Sequence, residues 1–146
     1  MHKSGDIVKI AVVESDIAPF ASESVFAKVL DNGNYEIDNI PFFTNCFNWR
    51  DEVECKREDG ITTFLSVSKA SGNDTFRIKM TDVDNIDAFQ NTKKVLTALN
   101  LVFESMSIKE IGQALITVNY TSNKDIDNVT EALAALEEDC FLSIVK

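Results

Sequence analysis

Three cysteines, one histidine and 24 aspartates and glutamates are the side chains from which chemistry would have to be built in this 146-residue chain. Cys46, Cys55 and Cys140 lie far apart and form no CxxC pair, so reduced, mostly buried thiols are expected. A tetrahedral zinc site needs four ligands, and His2 is the only imidazole. No metal and no cofactor are expected. A serine or cysteine nucleophile usually takes its base from a neighbouring histidine, which again leaves only His2. Cys55 beside Lys56 and Arg57 is no substitute, since adjacent strand residues point to opposite faces. The five glycines are scattered and make neither a P-loop nor a dinucleotide fingerprint.

The acids are numerous but poorly placed for catalysis. Asp82, Asp84 and Asp87 have the look of a calcium loop, yet an EF-hand needs glycine where Asp87 stands and glutamate where Lys93 stands. They suit a helix N-terminus better, where carboxylates complement the dipole and cap free N–H groups, and Asp125 and Asp127 read the same way. Spacing alone does not single out a pair of carboxylates for glycoside chemistry. No catalytic residues are expected, and the chain is not expected to be an enzyme.

Charge says more. With 14 lysines and arginines against those 24 acids, the net charge is −10, and residues 1–71 and 72–146 each carry 12 acids and 7 bases. Such a surface repels nucleic-acid phosphates and anionic lipid and attracts basic partners. The longest aliphatic run, Ile10 to Val13, is far short of the roughly 18 residues of a membrane span. Met1 to Asp6 leads into no apolar signal core, so a cytoplasmic protein is expected.

One segment has the composition of an interface. Phe42, Phe43, Phe47 and Trp49 fall within eight residues, and Arg50, Asp51 and Glu52 follow. These rings either fill a joint between two halves of the chain or anchor a partner, since Trp and Arg are enriched in binding hot spots. On the second reading Phe47, Trp49, Asp51, Glu52 and Glu54 are the candidate partner-binding residues. Base stacking is disfavoured, because it needs a basic groove.

The elements that would carry these residues follow from periodicity. Ile7 to Val13 reads as a strand, and Glu23 to Leu30 as another with Val25, Ala27 and Val29 on one face and Phe26, Lys28 and Leu30 on the other. Asn32-Gly33 then predicts a hairpin with a type I′ turn. Tyr35 and Ile37 continue the return strand, Pro41 stops pairing, and Glu52 to Arg57 and Ile61 to Lys69 join across Glu58-Asp59-Gly60. Five short strands with tight turns predict a small curved antiparallel sheet or partial barrel over residues 1–71.

Residues 72–146 change rhythm. Phe76, Ile78 and Met80 alternate as in a strand; Ile86, Phe89, Leu96 and Leu99 recur at helical spacing behind an Asp84 N-cap. Val102 to Ile108 and Ala114 to Tyr120 flank a turn at Glu110-Ile111-Gly112. A second helix follows through Ile126, Val129, Leu133 and Leu136, and a strand from Cys140 to Val145 closes the unit. The order β-α-β-β-α-β is the ferredoxin-like plan. Phe76, Leu96, Ile116, Val118, Leu133 and Leu136 are its expected core. The fold class is therefore α+β, with a β-rich half and a ferredoxin-like half expected to pack as one compact unit.

Two stretches carry a family resemblance: Glu23-Ser24-Val25-Phe26-Ala27 with Gly33 to Phe43, which ends in Asn39-Ile40-Pro41-Phe42-Phe43, and Ser71-Gly72-Asn73-Asp74-Thr75-Phe76-Arg77-Ile78. The chain resembles a bacterial family known as domain-of-unknown-function family 4265. It departs from that pattern at Asn73, where a histidine is expected, and in Asn48-Trp49-Arg50-Asp51, which lacks a glycine. The resemblance implies a bacterial cytosolic protein and no established activity. Small acidic proteins of this kind include immunity proteins. The leading expectation is thus an acidic immunity protein neutralising a basic toxin domain, a nuclease, of a contact-dependent system. The alternatives are a small-molecule-binding regulatory module with a ferredoxin-like domain and, behind it, a carboxylate hydrolase.

Overall fold

The computed structural model describes residues 3–13, 22–80, 86–108, 112–134 and 142–145. The chain divides into two compact units, Met1–Asn73 and Asp74–Lys146.

In the first unit, β1 (Ile7–Val13), β2 (Ser22–Val29), β3 (Tyr35–Ile37), β4 (Glu52–Glu58) and β5 (Ile61–Lys69) form a closed barrel in chain order. Neighbouring strands are antiparallel, so the fifth returns in the direction of the first and closure requires a parallel pair. That pair is β1 with β5, registered at Ala11 and Thr63. Strict alternation fills the interior: Ile10 and Val12 from β1, Val25, Ala27 and Val29 from β2, Tyr35 and Ile37 from β3, and Val53 from β4 are all buried. Outward positions hold Lys9 and Phe26, directly opposite in register, with the Lys9 ammonium 5.8 Å from the ring centre.

Curvature comes from β5. It has nine residues against seven in β4, and the ladder slips twice, between Glu52 and Val53 and between Glu54 and Cys55. Each slip places an extra residue, Ser68 and Leu65, on the β5 side. Bulges of this kind bend a strand and sharpen its twist, which a five-stranded barrel needs in order to close.

The turns differ from expectation in an instructive way. Positive φ occurs at Gly33 (87°) but not at Asn32. Leu30 O accepts from Gly33 N at 3.0 Å, and Leu30 N donates to Asn34 O at 2.9 Å. This is a three-residue loop with a left-handed glycine in third place, rather than the expected type I′ turn. The Asn32 side chain explains the preference, since its Oδ1 accepts Asn34 N at 2.9 Å. The pair with positive φ at both residues is Asp59 (52°) and Gly60 (78°), joining β4 to β5 where Glu58 pairs with Ile61.

The second unit runs β6 (Asp74–Met80), α1 (Ile86–Ala98), β7 (Phe103–Ile108), β8 (Gln113–Tyr120), α2 (Asn123–Ala132), β9 (Leu142–Val145). Its sheet order is β7-β8-β6-β9, with every pair antiparallel. Phe76, Ile78 and Met80 of β6 and Ile116 and Val118 of β8 meet Leu96, Val129 and Leu133 from the helices in one core. Five of the six expected core residues are there; Leu136 lies outside the described residues, as do Cys140 and the proposed cap Asp84. Helix α1 stops at Asn100, whose φ is +59°. Leu101 N donates to Leu96 O and Asn100 N to Thr97 O, the paired bonds of a Schellman motif with asparagine in the usual glycine place. Ser122 caps α2 by accepting Lys124 N at 3.2 Å.

Candidate functional site

The aromatic segment between β3 and β4 has no regular structure, and two carboxylates hold it. Glu23, on β2, accepts the backbone N–H groups of Phe42, Phe43 and Thr44 at 2.7, 3.1 and 2.9 Å. Strand β3 has already ended at Ile37, and these consecutive donors need an acceptor away from the sheet ladder. Asp51 does the same at the other end. It accepts Asn48 N, Ser71 N and Ser71 Oγ, each at 2.8 Å, and is only 3% exposed.

Around Asp51 the second stretch of the family resemblance meets the aromatic one. Ser71 Oγ lies within bonding distance of both Asp51 and Trp49 O, and its one proton serves one of them at a time. Asn73 Nδ2 donates to Trp49 O at 3.0 Å, and Asn73 N donates to Ser71 Oγ at 3.1 Å. Asn73 therefore takes part in anchoring the loop, with an amide in the place where a histidine was expected.

Two of the five candidate binding residues turn inward. Phe47 is 2% exposed and belongs to the barrel core, edge-on to Phe64 at 5.1 Å between ring centres. Asp51 is consumed by its three donors. Neither presents a surface, and this corrects the reading of the whole segment as an anchor: a core ring and a loop-locking carboxylate share the composition of a hot spot. The other three remain accessible. Trp49 is half-buried with the Arg50 guanidinium stacked over it at 4.7 Å, and Arg50 also pairs with Glu36 at 3.1 Å. Glu52 is held by Asn34 Nδ2 and Ser68 Oγ, hydrogen bonds that lower its pKa from the usual carboxylate value. Glu54 is exposed on β4.

The buried ionisable groups are unsuited to nucleophilic work. Burial pushes the Cys55 thiol up to about 12, so it stays protonated at neutral pH. Burial, and then the Asp74 carboxylate that accepts its hydroxyl at 3.1 Å, push the Tyr120 phenol to about 12. Among the described residues no three His, Cys, Asp or Glu side chains gather as metal ligands. Among them, too, no helix is long and apolar enough to cross a membrane.

The sequence reading missed Glu23 and Ser71 as organisers. Glu23 opens the first family stretch and Ser71 the second, so the signal lay in the motifs, but their partners are about 20 residues away in sequence.

An α+β protein made of a meander barrel and an antiparallel sheet with two helices is thus the class defined by the fold. Residues 23–144 match the family described as "Domain of unknown function (DUF4265)", and the chain belongs to that family. The carboxylate that organises the aromatic loop is the first residue of the match. No curated protein matches. A solved structure described as a hypothetical protein from Neisseria gonorrhoeae is similar, at 26% identity and TM-score 0.70, over 99% of this chain and 94% of the other.

Proposed function

We propose that this protein is a cytoplasmic immunity protein that binds a basic bacterial toxin domain, a nuclease, and holds it inactive without modifying it. The observation that carries the reading is the net charge of −10, with the acid excess shared equally by the two halves of the chain. Exposed carboxylates on both units, among them Glu54, Glu58, Asp127 and Glu131, face solvent. An acidic surface of this extent steers a basic partner and covers the cationic cleft with which a nuclease meets its substrate. On this reading the accessible remainder of the aromatic segment, Trp49 with Glu52 and Glu54 beside it, contributes to the contact. The second unit follows the ferredoxin-like plan, and its strand order β7-β8-β6-β9 supports that assignment.

The test is binding kinetics against the product of an adjacent toxin gene. Reversing Glu52 and Glu54 together should slow association more than it speeds dissociation. Raising salt should mimic the change, because the Debye length falls to about 3 Å at 1 M. An association rate indifferent to both overturns the proposal.

A further inference from the structure

In the second unit the α1–β7 loop and the β8–α2 junction border an open groove of about 320 Å³. Leu99, Leu101 and Val102 line it from the loop, and Asn119, Tyr120 and Asp125 from the junction. Asn119 N donates to Val102 O at 2.9 Å and ties the two segments together. Val102 is 47% exposed, so an apolar side chain stands open beside a carboxylate. Among the described residues Asp125 Oδ2 meets Thr121 N alone, at a long 3.4 Å, and no ion pair includes it.

The groove adjoins the N-terminus of α2, a place that ordinarily attracts anions. Here Lys124 N is held by Ser122 Oγ and Asp125 N by Ser122 O, and the Asp125 carboxylate itself stands over this turn. An incoming anion would meet the Asp125 carboxylate instead of free N–H groups. A cation on an apolar stem is complementary, with methylenes on Val102 and Leu99 and the charged head on Asp125 and the neighbouring amide side chains. A guanidinium suits such a place best, because its planar fork pairs with a carboxylate through two parallel hydrogen bonds. Resting on the proposed function above, we infer that this groove receives an arginine side chain of the basic partner.

The test uses the full ¹⁵N-labelled chain and capped arginine (N-acetyl-L-arginine amide) as probe, with capped glutamine and inorganic phosphate as controls. Capped arginine should give saturable amide shifts confined to residues 99–102 and 119–125. Asp125→Asn should weaken them at least tenfold. Val102→Lys, which places an ammonium over the groove and leaves α2 untouched, should do the same and decides the matter if Asp125→Asn disturbs the helix. Absent shifts, shifts unaffected by Val102→Lys, or equal shifts with glutamine or phosphate overturn the inference. The probe needs no toxin, so the two failures are distinguishable. Toxin binding without arginine shifts sinks the groove alone. Arginine shifts without toxin binding sink the proposed function and with it the toxin as source of the arginine, leaving only an arginine-binding groove.

Discussion

The Asp51 carboxylate accepts both the backbone N–H and the hydroxyl of Ser71 at 2.8 Å, clamping the aromatic loop to the segment that follows β5. Together with the bond from Asn48 N, this leaves a charged group nearly sealed from water and fully satisfied.

Replacing Asp51 by Ala should therefore cost about 3 kcal/mol, since several hydrogen bonds to a charged acceptor are lost and two backbone donors are orphaned. Ser71→Ala removes only the hydroxyl and should cost about 1 kcal/mol. Urea unfolding monitored by Trp49 fluorescence measures both. A loss under 0.5 kcal/mol for Asp51→Ala would show that the clamp does not hold the loop.

Glu23 gives a graded series. Glu23→Ala strands the N–H groups of Phe42, Phe43 and Thr44 and should cost about 2 kcal/mol. Glu23→Gln keeps one acceptor oxygen and should lose roughly half as much. Equal losses for the two variants would mean that packing of the stem, not the acceptor, is what matters.

Arg50 has a φ of +70°, a conformation glycine adopts freely and other residues hold at a cost. Arg50→Ala loses the contacts to Trp49 and Glu36 and keeps the strain, whereas Arg50→Gly loses the contacts and relieves it. The glycine variant should be the more stable of the two by about 1 kcal/mol, the reverse of the usual order. Thermal unfolding of the pair decides it.

Cys55 should resist alkylation in the folded protein, because its thiol is raised from the ordinary 9.0 to about 12. In a Cys46→Ser, Cys140→Ser background, iodoacetamide at pH 8 should label it only after unfolding. The folded state binds the proton more tightly than the unfolded state, so the contribution of Cys55 to stability is constant below pH 9 and is lost as pH rises from 9 towards 12. Rapid labelling of the native protein, or stability unchanged between pH 9 and 11, contradicts the burial.

Leu96→Ala and Leu133→Ala remove buried side chains that meet in one core, and each should cost about 2–5 kcal/mol. Being in one cluster, they should fall short of additivity in the double variant, which a thermodynamic cycle measures.

Most of the fold was readable because its signals are local. Val25, Ala27 and Val29 alternate with the outward Ser24, Phe26 and Lys28 over a few residues, and Phe76, Ile78 and Met80 alternate with Arg77 and Lys79, so strand faces follow from period two alone. The hairpin at Asp59-Gly60 needs only two residues able to hold positive φ. The turn at Asn32-Gly33 differs in type from a type I′ turn because the asparagine side chain, rather than its φ, sets the geometry.

The site was harder, because burial of a charged residue is a non-local property. The sequence by itself determined the acidic balance, the strand and helix order, and which positions alternate toward a core. Tertiary structure decided whether the five strands close, since Ala11 and Thr63 meet only through the barrel's curvature and its two bulges. It also decided the fate of Asp51, which beside Trp49 and Arg50 has every local mark of a surface acid. Only folding brings Asn48 N, Ser71 N and Ser71 Oγ to its carboxylate, and those three donors make its removal from water tolerable.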